Sequence, residues 1–113
     1  MRDLAADRPL RSDGGAVTPA SVPYKSTPVF DETTLPAGLR REHRTKTGVW
    51  GVIRVLQGRL RYRVLEPVSE TILDPDHPGL VVPDQPHMVE PLGAMQMRVE
   101  FYDHDPQTAR AFT

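Results

Sequence analysis

The fold class is decided by residues 78–91, which read Pro78-Gly79-Leu80-Val81-Val82-Pro83-Asp84-Gln85-Pro86-His87-Met88-Val89-Glu90-Pro91. A glycine turn opens a short apolar run, a proline-bounded loop interrupts it, and His87 stands where the chain enters the next strand. Short apolar runs between proline and glycine turns are typical of antiparallel β-structure and argue against long helices. The stretch also contains one of the two histidines that form the candidate chemical site; the other is His43.

The same turn punctuation continues along the chain, whose 113 residues include 12 prolines and 8 glycines. The clearest alternation is in residues 59–64, where Leu60, Tyr62 and Val64 share one face and three arginines share the other. After an edge strand within 22–30, the pattern predicts strands at 39–45, 49–56, 59–64, 70–73, 80–82, 87–90 and 95–102. About seven or eight short strands at this spacing predict an all-β antiparallel sandwich or barrel.

Composition excludes several function classes. The 14 basic and 15 acidic residues nearly cancel, which gives no electrostatic case for a nucleic-acid or membrane partner. The row Arg59, Arg61, Arg63 alternates with core positions, so a solvated sheet face explains it better than a nucleic-acid surface. The absence of cysteine excludes disulfides, thiolate metal sites and a cysteine nucleophile. No apolar run approaches a membrane helix or a signal peptide, and a cytoplasmic location is expected.

The chain is expected to divide into two parts. Residues 1–22 are polar, without an apolar period, and are predicted to form a flexible N-terminal arm. That arm either has no role or packs on a partner subunit. Residues 23–113 are predicted to be the β-barrel domain.

Two blocks of sequence carry a family resemblance. The first reads His43-Arg44-Thr45-Lys46-Thr47-Gly48-Val49-Trp50-Gly51, followed by Val55-Leu56-Gln57-Gly58-Arg59-Leu60, and the second is residues 83–91 with the closing Val99-Glu100-Phe101-Tyr102. Together they resemble the cupin domain of the tellurite-resistance (TehB/YeaR-like) family, over about residues 24–102. The resemblance implies a double-stranded β-helix, or jelly-roll barrel, commonly dimeric and associated with tellurite resistance or stress. Some longer relatives carry a methyltransferase domain, but this chain shows no glycine-rich nucleotide loop, so no nucleotide cofactor is expected.

The resemblance also implies candidate metal ligands. Cupins generally bind a metal through two histidines and a glutamate in one block and a histidine in the next. Here His43 and His87 match, while Thr45 stands where the second histidine would be. A third ligand would have to be Glu100 or, alternatively, Glu90, although strand alternation directs both away from the histidines. One divalent metal (Zn, Ni, Fe or Mn) and a metal-free polar pocket are both left open.

The predicted ligand pocket consists of His43, Thr45, Lys46, Trp50 and His87. Lys46, together with Arg41, would favour an oxyanion or carboxylate ligand, although both are also consistent with ordinary solvated surface. No catalytic residue is predicted, because the serines lack a G-x-S-x-G context.

The leading functional hypothesis is a small cytoplasmic stress-related protein, expected as a homodimer, that binds a divalent metal or small ligand between the two histidines. One alternative is a metal-dependent enzyme of the dioxygenase or isomerase type, which needs a third protein ligand and an open coordination position. The other is a non-catalytic interaction module with a vestigial pocket.

Overall fold

Residues 22–107 are described by the computed structural model of the chain. The predicted N-terminal arm, apart from Val22, and residues 108–113 lie outside this range. Within it, no helix is long and apolar enough to cross a membrane. The strands are β1 (Lys25–Ser26), β2 (Phe30–Asp31), β3 (Trp50–Gln57), β4 (Leu60–Leu65), β5 (Val68–Leu73), β6 (Gly79–Val81), β7 (His87–Pro91) and β8 (Gln96–Tyr102).

The strands form two antiparallel sheets. The five-stranded sheet has the order β1-β8-β3-β6, with β2 also pairing with β8, and the three-stranded sheet has the order β5-β4-β7. The predicted all-β antiparallel class is therefore confirmed. Among the described residues the two sheets are separate ladders, so the predicted closed barrel and cupin jelly roll are not established.

The core lies between the inner faces of the two sheets. In β4 the burial alternates strictly, and Leu60 and Tyr62 are 0% and 5% exposed. The odd-numbered residues of β8, among them Met97 and Val99, face them from the five-stranded sheet. Burying an apolar side chain of this size stabilises the fold by roughly 1.5–3 kcal/mol. The Tyr62 hydroxyl also donates to the Leu80 carbonyl at 2.8 Å, which ties β4 to the residues of β6 in the other sheet.

The strand predicted at residues 39–45 is wrong. A 3-10 helix occupies Ala37–Arg40, and the only β contact that follows is an isolated bridge at His43. Pro36, with φ −58°, presets the turn, and its carbonyl accepts a hydrogen bond from the Leu39 amide at 3.0 Å. The charged residues after it have no alternating apolar face to bury, so nothing stabilises an extended strand there.

A tight turn at Gly58 connects the two sheets, between β3 and β4. Its φ of +76° is in the left-handed region that favours glycine. A Cβ at this position would lie 2.3 Å from the Ala94 carbonyl oxygen. Glycine is thus required here both by the backbone conformation and by the close approach of the chain before β8.

The outer face of the five-stranded sheet holds a group that we call the Glu100 cluster: Glu100, Arg54, Arg98 and Tyr102. Arg54 Nε donates to Glu100 Oε1 at 3.0 Å, Arg98 Nη2 to Oε2 at 3.1 Å, and the Tyr102 hydroxyl to Oε1 at 3.2 Å. The Glu100 side chain is only 11% exposed. This carboxylate is therefore held away from water by three donors.

The outer face of the three-stranded sheet holds the Glu70 cluster: Arg61, Arg63, Glu70 and Glu90. Arg61 Nη1 lies 2.8 Å from Glu90 Oε1, and both arginines lie 3.3 Å from a Glu70 oxygen. Their side chains are 33% to 59% exposed. The alternation predicted that these arginines lie on a solvated sheet face, and the structure places them there.

Candidate functional site

A cavity of about 230 Å³ lies against the inner faces of both sheets. Its wall is mostly apolar, and we call it the inter-sheet pocket. It is lined by Thr27, Leu39, His43, Arg44, Thr45, Ile53, Val81, His87, Val89, Met97, Val99 and Phe101.

Two histidines are among the polar residues of this wall. His87 begins β7 and is 3% exposed, and its main chain exchanges two hydrogen bonds with that of His43, at 3.0 and 2.9 Å. This bridge brings the ring centroids to 4.1 Å, with the rings inclined by 60°. The loop before β7 is fixed to the same segment, because Asp84 adopts φ +60° and its amide donates to the Thr45 carbonyl at 3.1 Å. The backbone therefore presets the distance between the two rings.

Hydrogen bonds to the main chain decide which ring nitrogen each histidine presents. The Nδ1 atom of His87 lies 2.8 Å from the Gln85 carbonyl oxygen, and that of His43 lies 3.0 Å from the Arg41 carbonyl oxygen. A carbonyl oxygen only accepts, so Nδ1 carries the proton in each ring. In a neutral imidazole the other nitrogen, Nε2, then has a free lone pair and acts as an acceptor.

Burial keeps His87 neutral. It lowers the pKa of His87, the hydrogen bond to Gln85 partly offsets this, and the nearby His43 ring lowers the pKa further. Two imidazolium ions at this separation would also repel each other. At neutral pH the pocket accordingly presents an uncharged acceptor at His87.

Of the five residues predicted for a ligand pocket, His43, Thr45 and His87 line the inter-sheet pocket. Lys46 is exposed and absent from the lining. Trp50 is placed on the outer face of β3, opposite Tyr102. The positive charge at the pocket comes from Arg44, which lies 3.4 Å from Asp84 and 3.8 Å from Glu42.

Neither of the two carboxylates considered as a third metal ligand reaches the histidines. Glu100 lies on the opposite face of the five-stranded sheet, where Arg54 and Arg98 hold its carboxylate. Glu90 lies on the outer face of β7, paired with Arg61. Because both carboxylates point away from the histidines, neither supplies a third ligand. Nowhere in residues 22–107 do three or more His, Asp or Glu side chains meet in an arrangement that would hold a metal ion.

The apolar wall was not predicted as part of a site. The alternation in residues 95–102 placed Met97, Val99 and Phe101 on the inner face and could have indicated it. Thr27 gave no such signal, since it lies in the short connection between β1 and β2.

The chain belongs to the TehB-like domain family, whose profile matches residues 25–99. Two proteins of Haemophilus influenzae, from strains Rd and 10810, are each 36% identical to it over 74 residues, and each is named "Probable S-adenosyl-L-methionine-dependent methyltransferase TehB". The match covers 61% of this chain and 26% of each relative, so the chain spans about a quarter of the length of these relatives.

Two crystal structures are similar in fold. TehB from Haemophilus influenzae aligns with a TM-score of 0.67 and 32% identity, covering 75% of this chain and 32% of that one. A protein from Escherichia coli strain K12 aligns with a TM-score of 0.68 and 20% identity, covering 76% of this chain and 93% of the other. The TehB part of the predicted resemblance is therefore confirmed, while the cupin description is not established.

These relatives correct the cofactor and function predictions. Their names specify S-adenosylmethionine, which contradicts the expectation of a metal-binding cupin that involves no nucleotide cofactor.

The inter-sheet pocket nevertheless does not fit S-adenosylmethionine. Pockets for ligands of that size usually measure about 300–1,000 Å³, and the inter-sheet pocket measures about 230 Å³. Its lining also includes no carboxylate to pair with the cofactor's sulfonium and ammonium groups.

Proposed function

We propose that this chain serves S-adenosylmethionine-dependent methyl transfer in tellurite resistance, as a domain that holds a small molecule rather than the cofactor. Family membership and the names of the relatives support the methyl-transfer context. The inter-sheet pocket supports the proposal that the domain holds a small molecule. All residues that line this pocket except Phe101 fall within residues 25–99, the range that matches the family.

A matched pair of variants tests the pocket's role. Val99→Phe places a larger side chain into the pocket wall, whereas Val68→Phe makes the same change on an exposed strand, where Val68 is 82% exposed. In bacteria that depend on this chain for growth on potassium tellurite, Val99→Phe should lower the tolerated concentration and Val68→Phe should leave it unchanged. Thermal unfolding of both proteins checks that each variant is folded.

Two results would overturn the proposal. Equal tellurite tolerance of the wild type and a folded Val99→Phe variant would exclude a role for the pocket. Stoichiometric binding of S-adenosylmethionine to the chain by calorimetry, lost in Val99→Phe, would assign the pocket to the cofactor instead.

The expected homodimer, and the expectation of no nucleic-acid or membrane partner, stay predictions. Sedimentation velocity over a range of protein concentrations measures the first directly.

A further inference from the structure

We propose that the ligand of the inter-sheet pocket is a small uncharged molecule with an apolar body and one hydrogen-bond donor, which it directs at the imidazole Nε2 atoms. This rests on the proposed function and names the class of ligand at the same site. It also distinguishes between the two expected kinds of ligand, a small molecule and an oxyanion.

The two threonine hydroxyls of the pocket wall are already engaged. The Thr27 hydroxyl donates to the Pro28 carbonyl at 2.9 Å and accepts from the Val99 amide at 2.9 Å. The Thr45 hydroxyl donates to the Val49 carbonyl at 2.7 Å. Both threonines therefore contribute mainly methyl groups to the wall, and no hydroxyl proton is left for a ligand.

In their neutral forms the two imidazoles offer acceptors and no donors. Their Nδ1 protons are donated to the carbonyls of Arg41 and Gln85, which leaves Nε2. Within residues 22–107, the one fully buried side-chain nitrogen or oxygen without a hydrogen-bond partner is Arg61 Nε. Since His87 Nε2 makes no hydrogen bond and is not such an atom, it is open to a small probe even though His87 is 3% exposed. Because His87 lines the inter-sheet pocket, we infer that Nε2 opens into it.

Charge on the ligand is disfavoured for the same reason. A buried anion needs several donors to replace its hydration, and Arg44 is the one cationic side chain in the lining. Its side chain is 49% exposed and already lies near Asp84 and Glu42. A cation would find no carboxylate in the lining. The tellurite anion itself is therefore not the ligand that this wall selects.

Three aromatic probes of similar size separate these possibilities. Phenol is neutral and donates, anisole is neutral without a donor, and benzoate is an anion; potassium tellurite serves as a small inorganic anion. Each is titrated into the full chain at pH 7.5 while amide chemical shifts of the pocket residues are followed by NMR. Phenol should bind about two- to tenfold more tightly than anisole, the effect of one added hydrogen bond. Benzoate and tellurite should not produce saturable shifts at these amides.

A variant pair then assigns the acceptor. His87→Phe keeps an aromatic ring and removes the Nε2 acceptor, so phenol should lose its two- to tenfold advantage while anisole binding persists. His77→Phe is the control, because His77 lies in an exposed turn with 71% of its side chain accessible. If His87→Phe does not fold, His43→Phe on the less buried ring makes the same test, and the comparison of phenol with anisole on the wild type needs no variant.

Several outcomes would overturn the proposal. Equal affinities for phenol and anisole would remove the donor requirement, and tighter binding of benzoate or tellurite would reverse the charge requirement. No saturable shift from any probe would exclude ligands of this size. Probe binding therefore tests the class of ligand. The proposed function is tested separately, by comparing the tellurite tolerance of Val99→Phe with that of Val68→Phe.

Discussion

The two sheets carry the same kinds of charged side chains on their outer faces but expose them differently. In the Glu100 cluster, two arginines and a tyrosine donate to a carboxylate that is 11% exposed. In the Glu70 cluster the carboxylates of Glu70 and Glu90 are 48% and 59% exposed. Water screens the second group more than the first, so losing the carboxylate of the two ion pairs around Glu100 should cost more stability than losing a carboxylate from the three ion pairs of the Glu70 cluster.

The largest effect is expected from Glu100→Gln. The amide keeps the shape of the side chain but leaves Arg54 and Arg98 without a counter-charge. Breaking a buried pair costs about 3–5 kcal/mol, and the partial exposure of both arginines reduces this to about 2–3 kcal/mol. Urea denaturation at pH 7 measures the loss. A cost below about 1 kcal/mol would show that the two clusters are equivalent and would remove the contrast.

The pH dependence of the same variant sharpens the contrast. Burial alone would raise the pKa of Glu100, but the hydrogen bonds and charges of Arg54 and Arg98 outweigh it and hold the pKa below its usual 4.5. A carboxylate with a lowered folded pKa stabilises the protein above its unfolded pKa and loses this contribution as the pH falls through the folded value. The difference between wild type and Glu100→Gln should therefore be constant above about pH 5.5 and shrink below pH 4.5.

The second largest effect is expected at the turn that joins the sheets. Gly58→Ala adds a Cβ to a residue at φ +76° and brings it to 2.3 Å from the Ala94 carbonyl oxygen. The backbone must shift, at a cost of about 1–3 kcal/mol. Gly38→Ala is the matched control, because a Cβ there has no heavy atom within 4 Å. Similar melting temperatures for the two variants would contradict this account of the turn.

A smaller effect is expected from Tyr62→Phe, which removes the hydroxyl that links β4 to the Leu80 carbonyl. One such hydrogen bond contributes about 0.5–1.5 kcal/mol. Burial raises the pKa of Tyr62 to about 12, so in the wild type the hydroxyl stays protonated and able to donate far into alkaline pH. Denaturation of both proteins at pH 7 gives the difference in unfolding free energy. If Tyr62→Phe does not change the stability, this hydrogen bond does not help to hold the sheets together.

The smallest effect is expected from Glu70→Gln. Its carboxylate is about half exposed and shared between Arg61 and Arg63, and exposed pairs contribute about 0–1 kcal/mol. The loss should shrink further in high salt, since exposed charges are screened. The most direct test measures the loss of unfolding free energy in Glu70→Gln and Glu100→Gln side by side, in low and in high salt. A larger salt response in Glu100→Gln would contradict the conclusion that water screens the Glu70 cluster more.

Alternation predicted the strands well where one face is apolar. The ranges 59–64 and 95–102 correspond to β4 and β8 because Leu60, Tyr62, Met97 and Val99 mark the inner face. It failed at 39–45, where charged residues alternate with one another and the chain forms a 3-10 helix. It also could not divide the strands between two sheets, because pairing partners such as β3 and β8 are far apart in sequence.

The site was only partly predictable, because it too depends on contacts between residues that are far apart in sequence. His43 and His87 come together through a backbone bridge between residues 44 positions apart, which a sequence resemblance suggested but local patterns did not. Glu100 sits on the face that alternation indicated, away from the histidines. Its burial was not predictable, because arginines on two strands enclose it.

The position of β8 affects how the chain can be made. Gln96–Tyr102 is the last of the described strands to leave the ribosome, yet it hydrogen-bonds to β1, β2 and β3. The hairpin of β4 and β5 has adjacent partners and can form as soon as it emerges, whereas β3 must wait for β6 on one edge and for β8 on the other. During that interval a nascent chain presents an open apolar edge in Trp50–Gln57, the kind of surface that pairs with other chains. Translation slowed between residues 57 and 96 should therefore promote aggregation more than slowing after residue 102.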